Sequence, residues 1–246
     1  MLLSQKSAER RSAGLFVVEG RRELERCLLG GYEVESVFVC PELLGDGGLD
    51  FLGGSTAEVC QVSPQVYERM AYRGSTEGAL ALVRSRRLGL EDLRLGESPL
   101  LMVLESVEKP GNLGAVLRSA DAAAATAVVV CDPLTDLCNP NLIRASLGAF
   151  FSVPCVACSS GECIDFLKSR GIRILTAQLQ DSALYYDTDM RGPTALVMGT
   201  EATGLTQQWR EAADAHIRIP MLGRVDSLNV SVSAAILLYE AVRQRQ

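Results

Sequence analysis

PLLMVLESVEKPGNLGAVLRSADAAAATAVVVCD, residues 99–132, decides how this chain folds. Leu100–Leu104 is apolar without alternation, which is the pattern of a strand covered on both faces. Pro110-Gly111-Asn112 punctuates the run, and 112–125 carries the Ala-rich composition of a helix. TAVVVCD at 126–132 is a second strand of the same buried type. A strand, a helix and a strand in that order make the crossover unit of a parallel sheet.

The same alternation continues toward the C-terminus. NPNLIRASLGAFF (139–151) reads as a helix closing near Gly148, SVPCVACS (152–159) as a strand, and GECIDFLKSRG (161–171) as a helix ending at Gly171. Strands follow at 172–179, 193–199 and 216–221, with helices at 206–214 and 229–244. The first half alternates in shorter pieces. Strands are expected at 14–20, 34–40, 56–63 and 79–85, with helices at 20–31 and 63–72. The fold class is therefore α/β: a small α/β domain over 1–88, a polar Gly- and Pro-containing linker over 89–98, and a parallel-sheet domain over 99–246.

Composition narrows the function. The chain has 246 residues, 48% hydrophobic and 22% charged, with a formal net charge of −6. It is globular by composition, has no apolar run of bilayer length, and begins too polar for a signal peptide, so a cytoplasmic protein with no membrane partner is expected. The negative charge argues against loose binding of nucleic acid, which needs a broad positive field. It leaves room for a local basic face at Arg10, Arg11, Arg21 and Arg22, with a second cluster at Arg84, Arg86 and Arg87. Acidic residues are interleaved with the first group, so a solvated helix laced with ion pairs is the competing reading.

Eight cysteines invite a metal reading. Cys155, Cys158 and Cys163 are the closest set, but residues three apart on a strand face opposite ways. No metal site is expected, and buried small side chains are the simpler account. The single histidine, His216, makes a conventional histidine base a poor fit.

Three loops carry the candidate chemistry. In the first, 105–121, Gly111 and Gly114 permit close backbone approach, Asn112 offers an amide at the helix start, and Arg118 follows. In the second, LVMGTEATGLT (196–206), Gly199, Thr200 and Glu201 sit at a strand end. In the third, IPMLGRVDSLN (219–229), Asp226, Ser227 and Asn229 crowd the start of an almost wholly apolar helix. One cap satisfies a helix start, and the surplus polar groups need another use. In open α/β sheets, ligands sit beyond the carboxyl ends of strands. No dinucleotide fingerprint or phosphate-binding P-loop is present.

At these loops the sequence resembles the SpoU (TrmH-type) RNA ribose 2′-O-methyltransferases of the SPOUT superfamily. NLGAVLRSADAAAA, LVMGTEATGL and IPMLGRVDSLNVSVSAAI match its three motifs in order and spacing, and FVVEGRRELERCL and STEGALALV resemble the substrate-binding domain of its ribosomal RNA branch. The departures are Ala202-Thr203 on the second loop, where a Gly is frequent, and Ala123-Ala124 in a helix.

The resemblance implies a SPOUT domain with a trefoil knot, S-adenosylmethionine as methyl donor, and a homodimer through the C-terminal domain. It implies cofactor contacts at Gly199, Thr200, Glu201, Ile219, Met221 and Leu228, and catalytic roles for Asn112, Arg118, Glu201, Ser227 and Asn229. RNA would be the substrate, ribosomal RNA favoured, held by Arg10, Arg11, Arg21 and Arg22. A transfer-RNA ribose methyltransferase, a catalytically silent RNA-binding or ribosome assembly protein, and a generic nucleotide-binding protein are the alternatives. A guanidinium stays protonated, so Arg118 is expected to bind phosphate and stabilise developing alkoxide rather than act as a base.

Overall fold

The computed structural model describes residues 2–45, 48, 50–72, 77–200 and 203–246. It divides into two compact units, one of residues 1–86 with 136–152 and the other of residues 87–135 with 153–246.

The first unit opens with α1 (Leu2–Gln5) and α2 (Ser7–Ala13), then β1 (Leu15–Glu19) and α3 (Arg21–Leu29). It continues with β2 (Val34–Val39), α4 (Pro41–Leu44), β3 (Glu58–Gln61), α5 (Pro64–Met70) and β4 (Ala79–Arg84). The four strands form a mixed sheet in the order β1-β4-β2-β3, in which only β2 and β3 run parallel. Helix α5 starts as its Ser-Pro sequence dictates, with Ser63 accepting a hydrogen bond from the Val66 N–H and Pro64 in the first turn.

Residues 136–152 fall in the span read from sequence as the second domain, yet they pack in the first unit. The cause is aromatic. Phe16 of β1 meets Phe150 edge-on at 6.3 Å and stacks on Phe151 at 6.5 Å, while Tyr32 meets Phe151 edge-on at 5.2 Å. Gly30 lets the end of α3 come close, since a Cβ there would stand 2.4 Å from the Phe151 carbonyl oxygen. The expected 139–151 helix is broken. The Pro140–Ser146 helix stops where Leu147 and Gly148 take left-handed φ of 52° and 90°, and a 3-10 turn covers Ala149–Phe151.

The second unit begins with β5 (Leu100–Glu105), α6 (Pro110–Ala122) and β6 (Ala127–Cys131). After the Pro140–Ser146 helix (α7) come β7 (Cys155–Cys158), α8 (Ser160–Ser169), β8 (Arg173–Ala177) and β9 (Ala183–Leu184). Then follow β10 (Thr194–Met198), α9 (Gln207–Ala212), β11 (Ala215–Arg218) and α10 (Val230–Arg245). The sheet order is β7-β6-β5-β10-β8-β11-β9, and every pairing is parallel. β5, β6 and β10 are buried at every residue, as their unbroken apolar runs require. The chain leaves β5 toward β6 and β7, then returns to fill the other side, so β5 and β10 flank the point where strand order reverses. That is where open α/β sheets leave a crevice.

Helix α10 packs on α6 and clamps the segment before β10. Gln244 accepts from the Met190 N–H at 2.8 Å, and Arg245 donates to the carbonyls of Met190, Ser98 and Gly192. No described helix is long and apolar enough to cross a membrane.

Inside the sheet, Glu105 is a buried carboxylate at the end of β5, only 2% exposed. It accepts from the Thr206 N–H at 2.8 Å, the Thr206 hydroxyl at 2.7 Å and the Ser160 hydroxyl at 3.3 Å, and the Trp209 indole donates to Ser160 at 2.9 Å. This strut fixes the start of α9, and with it the exit of the second motif loop. Glu105→Ala strands the Thr206 N–H and hydroxyl, while Ser160 keeps its shorter bond to Asp132 at 2.6 Å; it is expected to cost about 3 kcal/mol, read as a lower midpoint in denaturant unfolding. An unchanged midpoint would show that the strut carries no stability.

Candidate functional site

A cleft of about 400 Å³ opens at the carboxyl ends of β8, β10 and β11. Three segments line it: 177–180 at the end of β8, 198–200 with 203–205 at the end of β10, and 217–219, 221 and 226–228 after β11, with the first turn of α10. A second, smaller hollow of about 150 Å³ is lined by Val107–Lys109 and Asn112 from the first loop, together with Gly199, Thr200 and Val230. The last three residues line both spaces, so the two are adjoining.

Residue by residue, Gly199, Thr200, Ile219, Met221, Leu228 and Ser227 line the larger cleft. Asn112 lines the smaller one. Asn229 caps α10, accepting from the Ser231 N–H at 3.0 Å, and its amide donates to the Asn112 side chain at 3.2 Å. The first and third loops are thus tied directly, and one asparagine serves as both cap and bridge. Arg118 is exposed on α6 and lines neither space. Glu201 lies outside the described residues.

The second loop is built around close backbone contact. Thr200 and Gly204 form an isolated antiparallel bridge, with the Gly204 N–H donating to the Thr200 carbonyl at 3.0 Å. The Thr203 N–H donates to the Thr200 hydroxyl at 3.0 Å. Gly204 has φ of +67°, and a Cβ on Gly199 would sit 2.3 Å from the Gly204 carbonyl. Only glycine fits at 199.

Sequence reasoning missed the 178–180 segment and Arg210, both part of the cleft wall. Neither carries a Gly-rich or clustered polar signal; what places 178–180 here is the pairing of β8 between β10 and β11. Among the described residues, Gln178 Oε1 and Arg210 Nε are buried with no hydrogen-bond partner. Buried polar atoms are nearly always paired. An orphan acceptor and an orphan donor in one cleft fit a ligand that carries both amine and carboxylate groups. His216 lies beside this wall without lining it, and its ring bonds to the Thr176 hydroxyl at 2.6 Å.

The arginines proposed from sequence as an RNA face separate into two kinds. Arg10 is a correction: it is 4% exposed, held by Asp136 at 2.6 Å and by the Leu3 carbonyl at 2.6 Å. Its partner stands 126 residues away, beyond any local pattern. Arg11 and Arg22 are exposed and Arg21 half-exposed, with Arg21 paired to Glu25 and Arg22 to Glu23. Arg10→Ala leaves Asp136 without its cation. It is expected to cost about 3 kcal/mol of stability in thermal unfolding while leaving RNA affinity unchanged. A variant that unfolds normally but binds RNA poorly would restore Arg10 to the interface.

Comparison with known proteins identifies the family. A model of the SpoU rRNA Methylase family matches residues 99–239, and a model of the MRM3-like substrate binding domain matches residues 1–81. The chain is 37% identical over 204 residues to a 23S rRNA (guanosine-2′-O-)-methyltransferase RlmB of Ralstonia nicotianae, covering 80% of this chain and 82% of that one. A crystal structure of an RNA 2′-O ribose methyltransferase is similar with a TM-score of 0.86 and 41% identity, over 99% of this chain and 94% of that one. The SpoU methyltransferase AviRb from Streptomyces viridochromogenes, solved in complex with AdoMet, is similar with a TM-score of 0.92 and 28% identity, over 99% and 95%. With its second and third motif loops on one cleft, the first on the hollow beside it, and the family model spanning more than half its length, the chain belongs to the SpoU rRNA methylase family.

Proposed function

We propose that this chain methylates a ribose 2′-oxygen in RNA, with large-subunit ribosomal RNA as the substrate and S-adenosylmethionine as the donor. The observation that carries this reading is the cleft shared by the second and third motif loops, adjoining a hollow that holds Asn112. The names of the relatives and the substrate-binding domain match favour ribosomal over transfer RNA.

Gly199, Thr200, Ile219, Met221 and Leu228 would hold the cofactor, with Gln178 and Arg210 meeting its polar ends. When bound, the cofactor supplies a methyl group on a sulfonium centre. The protein's own task is then placement and desolvation of the reactants. Asn112 and Asn229 brace the junction between the two spaces. Ser227 stands on the exposed third loop, open to an incoming ribose. We place Arg118, exposed on α6, on the acceptor side, where it binds phosphate and stabilises the alkoxide as the 2′-hydroxyl loses its proton.

We further propose a homodimer across α10 and a knotted chain path in the second unit, both as the resemblance implies. Val232 and Tyr239 of α10 are about half exposed, and Leu222 and Val225 of the third loop more so. Exposed apolar side chains seven residues apart on one helix suit an interface.

Labelled methyl transfer to deproteinised ribosomal and transfer RNA pools tests this reading, followed by mapping of the blocked 2′-hydroxyl. Label in ribosomal RNA is expected. Label in transfer RNA alone would move the substrate assignment, and none in either would leave a silent binding protein. RNA affinity should fall as salt rises, and an Arg21→Ala/Arg22→Ala variant should flatten that slope by about one to two charges. An unchanged slope would remove this face from the interface.

A further inference from the structure

The Sγ atoms of Cys131, Cys158 and Cys163 all lie within 4.8 Å of one another. Cys131 ends β6 and Cys158 ends β7, and the two are register partners in adjacent parallel strands. Their side chains therefore leave the same face of the sheet. Cys163 joins them from the first turn of α8, which begins at Ser160. Cys131 and Cys163 are fully buried, and Cys158 is half-buried at the edge. The sequence had suggested Cys155 in this company. Cys155 is not part of the cluster, and the missing third thiol comes from the neighbouring strand.

We propose that these three thiols form a binding site for a thiophilic d10 cation, separate from the methyl-transfer cleft. Metal–sulfur bonds of ~2.3 Å place sulfur atoms about 3.8 Å apart around one ion. The trio needs only a small closure to reach that spacing. An all-sulfur donor set excludes the hard cations and selects zinc or monovalent copper. Packing alone is satisfied by three separate buried thiols; it does not require three sulfurs to converge with one at the solvent edge, where an ion can enter.

Position marks Cys158 as the thiol that an entering cation meets first. Cys158 immediately precedes Ser159, the cap of α8, and so sits at the positive end of that helix. Glu162 and Asp132 add negative field close by, which a cation would offset.

Among the described residues, no fourth His, Cys, Asp or Glu completes the group. The ion is then either three-coordinate, as monovalent copper accepts, or zinc with a water on the Cys158 side. Bound there, it would pin the ends of β6 and β7 to α8. Ser160 of that helix also holds Glu105, the strut behind the second motif loop.

The test uses the full-length protein, reduced and stripped of metal, titrated with Zn²⁺ and, without oxygen, with Cu⁺. Wild type should take up one equivalent and show sulfur-to-metal charge-transfer absorption. Cys155→Ser should behave as wild type, whereas Cys158→Ser should bind about 100-fold more weakly or worse. Competition against chelators selective for each ion decides which is held. Bound metal should also protect Cys158 of the wild type from alkylation, a readout that needs no folded variant. Equal binding by wild type and Cys158→Ser, loss of binding in Cys155→Ser, or an unprotected Cys158 would each overturn the site.

Discussion

Arg118→Ala is expected to slow methyl transfer by about 10²–10³-fold while leaving S-adenosylmethionine affinity unchanged. The side chain is exposed on α6, lines neither space at the strand ends, and so adds little to folding or to the cofactor wall. In the proposed reaction its charge acts where RNA brings a phosphate and a ribose whose 2′-oxygen turns negative. Arg118→Lys keeps the charge but loses the planar fork, and should recover only part of the rate. Single-turnover transfer to ribosomal RNA, with cofactor affinity by calorimetry, separates the two effects. Wild-type turnover in the alanine variant would remove Arg118 from the reaction, and a matching loss of cofactor affinity would move it to the donor side.

The second large effect is at Gly199. A methyl group there would stand 2.3 Å from both the carbonyl carbon and the carbonyl oxygen of Gly204, and 2.5 Å from the Leu205 nitrogen. All are backbone atoms, so no rotamer change relieves the clash. Gly199→Ala must open the bridge between Thr200 and Gly204, which shapes the wall common to both spaces. Cofactor affinity should fall about 100-fold, since a wall displaced by about an ångström loses much of its complementarity. Thr203 and Gly204 are exposed at the carboxyl end of β10, so the unfolding midpoint should move less than for Glu105→Ala. Unchanged affinity would mean that the cofactor does not touch this loop.

Where periodicity is local, the fold was legible. β5 and β6 emerged as strands because five successive apolar residues in each leave no polar face. Helix α6 differs from expectation at both ends. Pro110 opens it earlier than Asn112, as a first-turn proline can. Ala124, with φ of 51°, ends it before the Ala run does. Helix 139–151 failed because Leu147 takes a left-handed conformation that its residue type does not announce. β9, two residues long, is set by its neighbour β11 and has no pattern of its own.

The site was legible to the extent that glycine and small polar residues mark it. Gly199, Asn112 and the 219–229 loop meet because β10 lies between β5 and β8, an order that sequence spacing does not contain. Gln178, Arg210, the Arg10–Asp136 pair and the convergence of Cys131 with Cys158 are all consequences of strand register or long-range packing. Each involves residues whose partners lie far along the chain, so local reasoning could not rank them.

Soaking or co-crystallising the protein with S-adenosylhomocysteine tests the central claim most directly. Density for the ligand is expected between 177–180, 198–200 with 203–205, and the lining residues of 217–228, with Gln178 Oε1 and Arg210 Nε newly paired and the sulfur facing the Asn112 hollow. Ligand bound elsewhere, or none at saturating concentration with the three segments in their present arrangement, would contradict it.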